Sequence, residues 1–324
     1  SPQRTTMIGS MMVNIFSQVK TTFKSTEHPH YVFTPKDLTK WIVSLMRYEL
    51  TSDPEVVQKA LLYESQRIFG DRLVSTDDKQ RFDNILMEEA RAGSKKDDSV
   101  FASQSLAVHT KDSIGIPLVN IPSVDYESTL KKTVNRYEFE VANFKLPLLK
   151  EIQAFAAKVD RVLTTPGGSL LLAGRSGMGR KDVVQLIANM HAMPIFSPKI
   201  TPTYQQKQFD NDIKTAIQTA ITNSEHVVFI IEEYQLSQSS FLQSINCLLS
   251  SGEVPKLFTQ QELDGMATQL REQSSEESFD GDLHDYFAYR TRCLLHIVII
   301  MNTDKSDFAF QLLTNPALYK ECTV

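Results

Sequence analysis

A glycine-rich turn at positions 174–181 constrains the fold of this chain more than any other stretch of its sequence. It follows a short apolar run, Ser169–Ala173, and precedes a segment with helical spacing, Arg180–Met190. The turn consists of Gly174, Arg175, Ser176, Gly177, Met178, Gly179, Arg180 and Lys181. Glycines between a buried strand and a helix let several backbone N–H groups converge on one point. The turn is therefore predicted to be a phosphate-binding P-loop; a turn that only connects the two elements is the alternative.

Two positions of this turn depart from the P-loop pattern, which expects Lys followed by Ser or Thr. Arg180 keeps the positive charge and is predicted to grip phosphate oxygens with two donors. Lys181 offers no hydroxyl to Mg²⁺, and its charge competes with the metal, which Asp182 offsets only in part. The loop is thus predicted to bind the phosphates of a nucleotide and to place Mg²⁺ poorly.

Two acidic residues follow a second apolar run, Val227–Ile231. In the Walker B pattern the first acid holds the water shell of Mg²⁺ and the second polarises the attacking water. Glu232 stands at the first position, one methylene longer than the usual Asp, and Glu233 stands at the second. Glu232 is therefore the candidate metal contact and Glu233 the candidate catalytic residue. A solvated strand end is the alternative for both.

Asn302 follows a third buried run, Ile297–Met301. AAA+ proteins carry a sensor of the terminal phosphate as a polar side chain at the tip of such a strand, and Asn302 resembles it in position; the alternative is a plain turn residue before Thr303. Runs of this kind alternate with helical segments from Ser169 onward. This alternation predicts an α/β fold with a parallel, doubly wound sheet.

The chain is predicted to have three parts. Residues 1–95 indicate a small helical bundle, one helix of which is predicted to bury Trp41 and Ile42 on the same side. Residues 96–135 are interrupted by Gly and Pro and are predicted to form a linker with short strands. Residues 136–324 are predicted to hold the large α/β subdomain.

Composition excludes several other classes of protein. The net charge of -5 provides no basic field for nucleic acid. Three cysteines in no metal-binding spacing indicate reduced cytosolic thiols. No apolar run approaches the roughly 18 residues of a membrane span. Because the sequence opens on Ser1 and stops at Val324, we expect it to be a piece of a longer protein.

Four longer phrases resemble the heavy chains of dynein, and with the three sites above they look like an AAA+ module preceded by a helical lid. These phrases are His30–Leu38, Glu64–Leu73, Leu248–Phe258 and Asn315–Leu318. The resemblance implies the lid of the third ring module, followed by the large part of the fourth. The glycine loop and the phrase Phe196–Ile200 are most similar to the ciliary, intraflagellar-transport type of cytoplasmic dynein.

The resemblance implies an ATP-driven microtubule motor in which this module binds ATP or ADP in a regulatory or structural role, as a weak or inactive ATPase. An active secondary ATPase site and a nucleotide-free structural module are the alternatives. It also implies neighbouring AAA+ modules of the same chain as partners. Through other regions it implies a second heavy chain, light and intermediate chains, and microtubules. The implied location is the cytoplasm, the cytoskeleton and the cilium.

Two further positions acquire a meaning only from the resemblance. Glu321 stands where the family carries an arginine that reaches the neighbouring site, and adjacent Lys320 is a weak substitute. The resemblance therefore implies little activation of the third module from here. Lys36 stands where a phosphate-sensing base is expected in the lid; a solvated lysine in the first turn of a helix is the alternative.

Overall fold

The computed structural model of this chain describes residues 2–28, 30–48, 54–90, 99–103 and 114–324. These residues form two compact units. One contains the described residues up to 103 together with Ile114–Val124, and the other contains Asp125–Val324. The predicted division between residues 95 and 96 lies outside the described residues.

The first unit is built mainly from four helices: α1 (Pro2–Thr22), α2 (Pro35–Leu45), α3 (Pro54–Ile68) and α4 (Thr76–Ala90). The start of α2 is fixed by Asp37, whose carboxylate accepts the backbone N–H of Thr34 at 2.8 Å. Trp41 is fully buried and meets Phe69 edge to face at 5.5 Å between ring centroids. The expected burial of Ile42 is wrong, since its side chain is 51% exposed.

The segment after α4 differs in part from the predicted linker. Two antiparallel strands, β1 (Ser99–Ser103) and β2 (Leu118–Pro122), agree with the expected short strands. An 18-residue helix, α5 (Ser123–Glu140), follows immediately, whereas sequence patterning indicated linker up to residue 135. Tyr126 and Leu130 are buried along this helix. Its polar composition hid these positions from a search for apolar periodicity.

The second unit alternates strands and helices. Its strands are β3 (Leu170–Ala173), β4 (Ile195–Phe196), β5 (Val227–Glu232) and β6 (Leu295–Met301). Its further helices are α6 (Lys150–Leu163), α7 (Arg180–Met190), α8 (Gln206–Asn223), α9 (Ser239–Ser251), α10 (Gln260–Glu276), α11 (Leu283–Leu294), α12 (Phe308–Thr314) and α13 (Ala317–Lys320). The predicted α/β class is therefore confirmed, while α10, α11, α12 and α13 were missed from the sequence.

The four strands form one parallel sheet in the order β3-β6-β5-β4. On the outer side of β3, Thr323 makes an isolated parallel bridge with Leu170. All seven residues of β6 are buried, as expected of a central parallel strand covered on both faces. Because the strands run in the same direction, their carboxyl ends lie at one edge of the sheet, where the three predicted site segments begin.

One face of the sheet is covered by α8 and α9 around a pair of aromatic rings. Phe209 and Phe241 stack at 4.4 Å between centroids, and both side chains are fully buried. Such stacking adds to the burial of the two rings by roughly 0.5–1.5 kcal/mol. No helix among the described residues combines the length and apolar character needed to cross a bilayer.

Replacing Phe209 with Ala should destabilise the second unit by about 3–5 kcal/mol, because it leaves a cavity and removes the stacked ring from Phe241. The matched control is Phe139→Ala, which removes the same atoms from a side chain that is 92% exposed. The control should stay within about 0.5 kcal/mol of the parent. Urea unfolding of the full chain measures both, and equal effects would contradict the assigned core.

Candidate functional site

A cleft of about 430 Å³ lies at the carboxyl edge of the parallel sheet. Its lining comes from the glycine loop, the first turn of α7, and the ends of β5 and β6. The lining residues are Ser176, Gly177, Met178, Gly179, Arg180, Lys181, Asp182, Glu232, Glu233, Tyr234, Ile300, Met301, Asn302 and Lys305. The fold thus brings the three predicted segments together. Of the predicted loop residues, Gly174 and Arg175 do not line this cleft.

The end of the loop requires a glycine at position 179. Gly179 caps α7 with φ 69°, a left-handed conformation that residues with a Cβ rarely adopt. An added Cβ would also lie 2.2 Å from Cδ1 of Leu146, which packs against the loop. The left-handed conformation of Gly179 leads the chain directly into α7, so that the helix begins at the cleft. The unpaired N–H groups of a helix start form a favourable site for an anion.

The guanidinium of Arg180 is directed back into the loop. It donates to four backbone carbonyls, two from the loop and one from each adjoining strand: Gly174 at 3.0 Å, Arg175 at 2.9 Å, Met301 at 2.9 Å and Leu172. Burial lowers the pKa of this guanidinium, which nevertheless stays charged in a protein. The predicted bidentate grip on phosphate would compete with these bonds. In this structure Arg180 fastens the loop to the sheet.

Lys181 and Glu232 form an ion pair across the cleft, between the first turn of α7 and the end of β5. The ammonium lies 2.6 Å from Oε1 of the carboxylate. The side chains are 34% and 25% exposed, so solvent screens the pair only in part. Two of the three positions that depart from the P-loop and Walker B patterns therefore contact each other.

The residues present do not fit a Mg²⁺ ion held in the usual P-loop manner. The hydroxyl that would bind the metal is replaced by Lys181, whose ammonium forms an ion pair with the carboxylate of Glu232. The ammonium would repel a divalent ion beside it, and it neutralises the carboxylate that would otherwise attract that ion. Across the described part of the chain, no group of three or more His, Cys, Asp or Glu side chains could hold a metal ion.

Glu233 and Asn302 contact each other at the far side of the cleft. Oε2 of Glu233 accepts the backbone N–H of Asn302 at 3.0 Å. Oε1 lies 3.3 Å from Nζ of Lys305, an ion pair without hydrogen-bond geometry. The side-chain oxygen of Asn302 accepts the N–H of Asp304 at 3.1 Å, as a turn residue does. Both the catalytic role of Glu233 and the sensor role of Asn302 stay predictions.

Two cleft-shaping residues were not found from the sequence. Lys305 adds a second ammonium to the lining, four residues beyond the end of β6. Gln235 is buried and accepts the N–H of Glu232 at 2.7 Å. Its side-chain nitrogen donates to Ser197 at 3.1 Å and to the carbonyl of Pro198 at 2.6 Å. Gln235 thereby fixes the end of β5 to the segment after β4, and only its position soon after an apolar strand signalled it.

Family models match both units. The model described as the P-loop containing dynein motor region D4 matches residues 144–324, more than half of the chain. This decides the family. The chain belongs to the dynein heavy chain family. A second model, the ATPase lid domain of dynein heavy chains, matches residues 2–79. The predicted membership, with a lid followed by the fourth motor region, is confirmed.

Similar proteins include the cytoplasmic dynein 2 heavy chain 1 of Caenorhabditis elegans, 42% identical over 98% of this chain. The human protein of that name is 37% identical over 98%, and the cytoplasmic dynein heavy chain of Dictyostelium discoideum is 29% identical over 97%. The chain spans only 7–8% of the length of these relatives. The implications drawn for Glu321, at the end of α13, and for exposed Lys36, in the first turn of α2, stay predictions.

Replacing Arg180 with Ala should loosen the glycine loop, because four carbonyls lose their charged donor. We expect a loss of about 1–3 kcal/mol in unfolding free energy and faster amide exchange at Gly174, whose N–H donates to the carbonyl of Met301. Arg180→Lys should recover only part of the loss, since one ammonium cannot span the same acceptors. Arg175→Ala is the control, its side chain being 82% exposed. Unchanged exchange in Arg180→Ala would contradict the fastening role.

Proposed function

We propose that this chain is the nucleotide-holding fourth module of a dynein motor ring, preceded by the lid of the third module, and that it retains ATP or ADP in a regulatory or structural role. The observation that carries the proposal is the cleft itself. It joins a glycine loop, a helix start and the ends of two parallel strands at one point. This is the arrangement in which P-loop proteins receive the phosphates of a nucleotide.

The hydrogen-bond donors of the cleft support phosphate binding, since its three cationic and three acidic side chains balance in charge. Lys181 and Lys305 place two ammonium groups in the lining, and the amide groups of the loop and of the first turn of α7 add uncharged donors. Arg180 contributes indirectly, since its bonds hold the loop in shape before any ligand arrives. A site shaped in advance loses less free energy to ordering when it binds.

Retention rather than rapid turnover is supported by the state of the acidic residues. Fast phosphoryl transfer uses a metal ion to neutralise charge and an acid that orients water. Glu232 is paired with Lys181, and Glu233 is held by the N–H of Asn302 beside Lys305. Both carboxylates are thus engaged by groups of the protein, which supports the proposal that the module holds nucleotide and turns it over slowly or not at all.

The similarity to cytoplasmic dynein 2 heavy chains supports a wider proposal for the whole protein. We propose that the whole protein is an ATP-driven microtubule motor of retrograde intraflagellar transport, located in the cytoplasm, the cytoskeleton and the cilium. Its other AAA+ modules contact this one within the same chain. A second heavy chain, light and intermediate chains, and the microtubule bind through regions beyond this sequence.

The proposed phosphate site is tested by Ser176→Glu. Ser176 is exposed in the loop and lines the cleft, so the substitution adds a negative charge where the phosphates bind and disturbs no packing. We expect ADP affinity to fall by tenfold or more, roughly 1.4 kcal/mol, through repulsion between like charges. Calorimetric titration of the full chain measures this. Ser176→Gln is the matched neutral control and should keep most of the affinity.

If neither ADP nor ATP binds to the unaltered chain, the proposed function is wrong. The module is then the nucleotide-free structural element, and its sheet serves only in packing within the ring. If ADP binds but Ser176→Glu and Ser176→Gln weaken it equally, the ligand lies elsewhere than the glycine loop.

An active secondary ATPase is the second candidate, favoured by the presence of both Glu233 and Asn302 in the cleft lining. Glu233→Gln in the complete heavy chain separates the two, with Ser176→Glu identifying which retained nucleotide belongs to this site. Under retention, the ratio of ADP to ATP recovered from the site after incubation with ATP should not change. A shift from ADP in the parent to ATP in Glu233→Gln would establish turnover and refute retention.

A further inference from the structure

Two departures from the usual P-loop and Walker B residues at this site are explained by their contact with each other. Lys181 replaces the hydroxyl that holds a metal ion in the P-loop pattern, and Glu232 replaces the aspartate of the opposite strand. The structure joins them by a 2.6 Å contact between Nζ and Oε1. Glutamate is one methylene longer than aspartate, which helps its carboxylate extend toward α7. The positive charge beside Glu232 is therefore the ammonium of Lys181, a side chain of the protein, rather than a bound metal ion.

The ammonium of Lys181 can do much of what the metal does for a bound nucleotide. It carries three donors, and the bond to Glu232 engages one of them. The remaining N–H groups are suited to phosphate oxygens approaching from the cleft that both residues line. Glu232 holds the ammonium in place and offsets its charge while no ligand is bound. Lysine binds phosphate well as a point charge.

We propose that Lys181, held by Glu232, takes the place of Mg²⁺, and that this cleft binds nucleoside di- or triphosphate free of any divalent ion. The inference rests on the proposed function, because it specifies the form of nucleotide that the same site accepts. It also explains why the site lacks a metal-binding hydroxyl while it keeps a glycine loop and a cleft. A nucleotide held in this way lacks the metal that fast phosphoryl transfer uses.

The experiment measures ADP and ATP affinity of the full chain by calorimetry, once with Mg²⁺ and once with EDTA. For the unaltered chain we expect binding in EDTA to be at least about threefold tighter than in excess Mg²⁺, because Mg²⁺ chelates the nucleotide and withdraws it from a site that takes the metal-free form. The double variant Lys181→Thr with Glu232→Asp restores the hydroxyl and the shorter acid. It should bind on the order of tenfold more weakly in EDTA than in Mg²⁺.

Two control variants distinguish metal replacement from a general loss of charge. Lys305→Thr removes the other ammonium of the cleft, and it should weaken binding equally with and without Mg²⁺. Lys181→Arg keeps the positive charge and should lose less affinity in EDTA than the double variant does. Thermal unfolding of each variant without nucleotide verifies that it is folded before its affinity is compared.

Failure of this inference differs from failure of the proposed function. If the unaltered chain binds nucleotide only when Mg²⁺ is present, the ammonium does not replace the metal, although nucleotide binding stands. If the double variant binds equally well in EDTA and in Mg²⁺, the role given to the pair is also wrong. If nothing binds under either condition, the proposed function fails and the inference fails with it.

Discussion

The parallel pairing of β3, β6 and β5 is the constraint on which the rest of this site depends. The register places Ala173 opposite Met301, and Glu232 opposite Ile300, so that all three strands end at nearly the same level. The glycine loop leaves β3 there and is bonded to β6 at once, through the N–H of Gly174 and the carbonyl of Met301. Shifting this register would separate the loop from the acids of β5. Sheet pairing, rather than any single side chain, brings the site together.

Arg180 provides the second level of organisation. A lysine at this position reaches outward as one point charge, whereas the guanidinium has five donors in a planar fork. Four of its hydrogen bonds here go to backbone carbonyls of the loop and of two strands. In this structure the guanidinium thus supports the loop. Lys181, one residue further along the same helix start, is the charge that remains directed across the cleft.

The sequence predicted the α/β class, the helix starting at Arg180 and the three segments that meet at the cleft, because strands and glycine turns leave local signals. It failed where the signal is tertiary. Helix α10 was missed because it has few apolar residues, although its capping pair, Thr259 and Glu262, is visible in the sequence. Helix α11 passes into β6 at Leu295 without any turn residue, so no boundary was visible. The direction of the Arg180 donors depends on the curvature of the loop, which spacing does not encode.

The contact between Lys181 and Glu232 also indicates that both residues of this site changed together, rather than that the site lost a metal-binding residue and kept the rest. A site that had merely lost its metal would retain an aspartate without a cation, or a lysine without an acid. Either would leave a partly buried charge uncompensated, which is costly. Here the ammonium that Lys181 adds and the carboxylate that Glu232 keeps lie on opposite walls of one cleft and neutralise each other. Two charges compensate each other in this way only when both side chains face the same cleft. In a P-loop fold, this cleft is where the phosphates of the nucleotide bind.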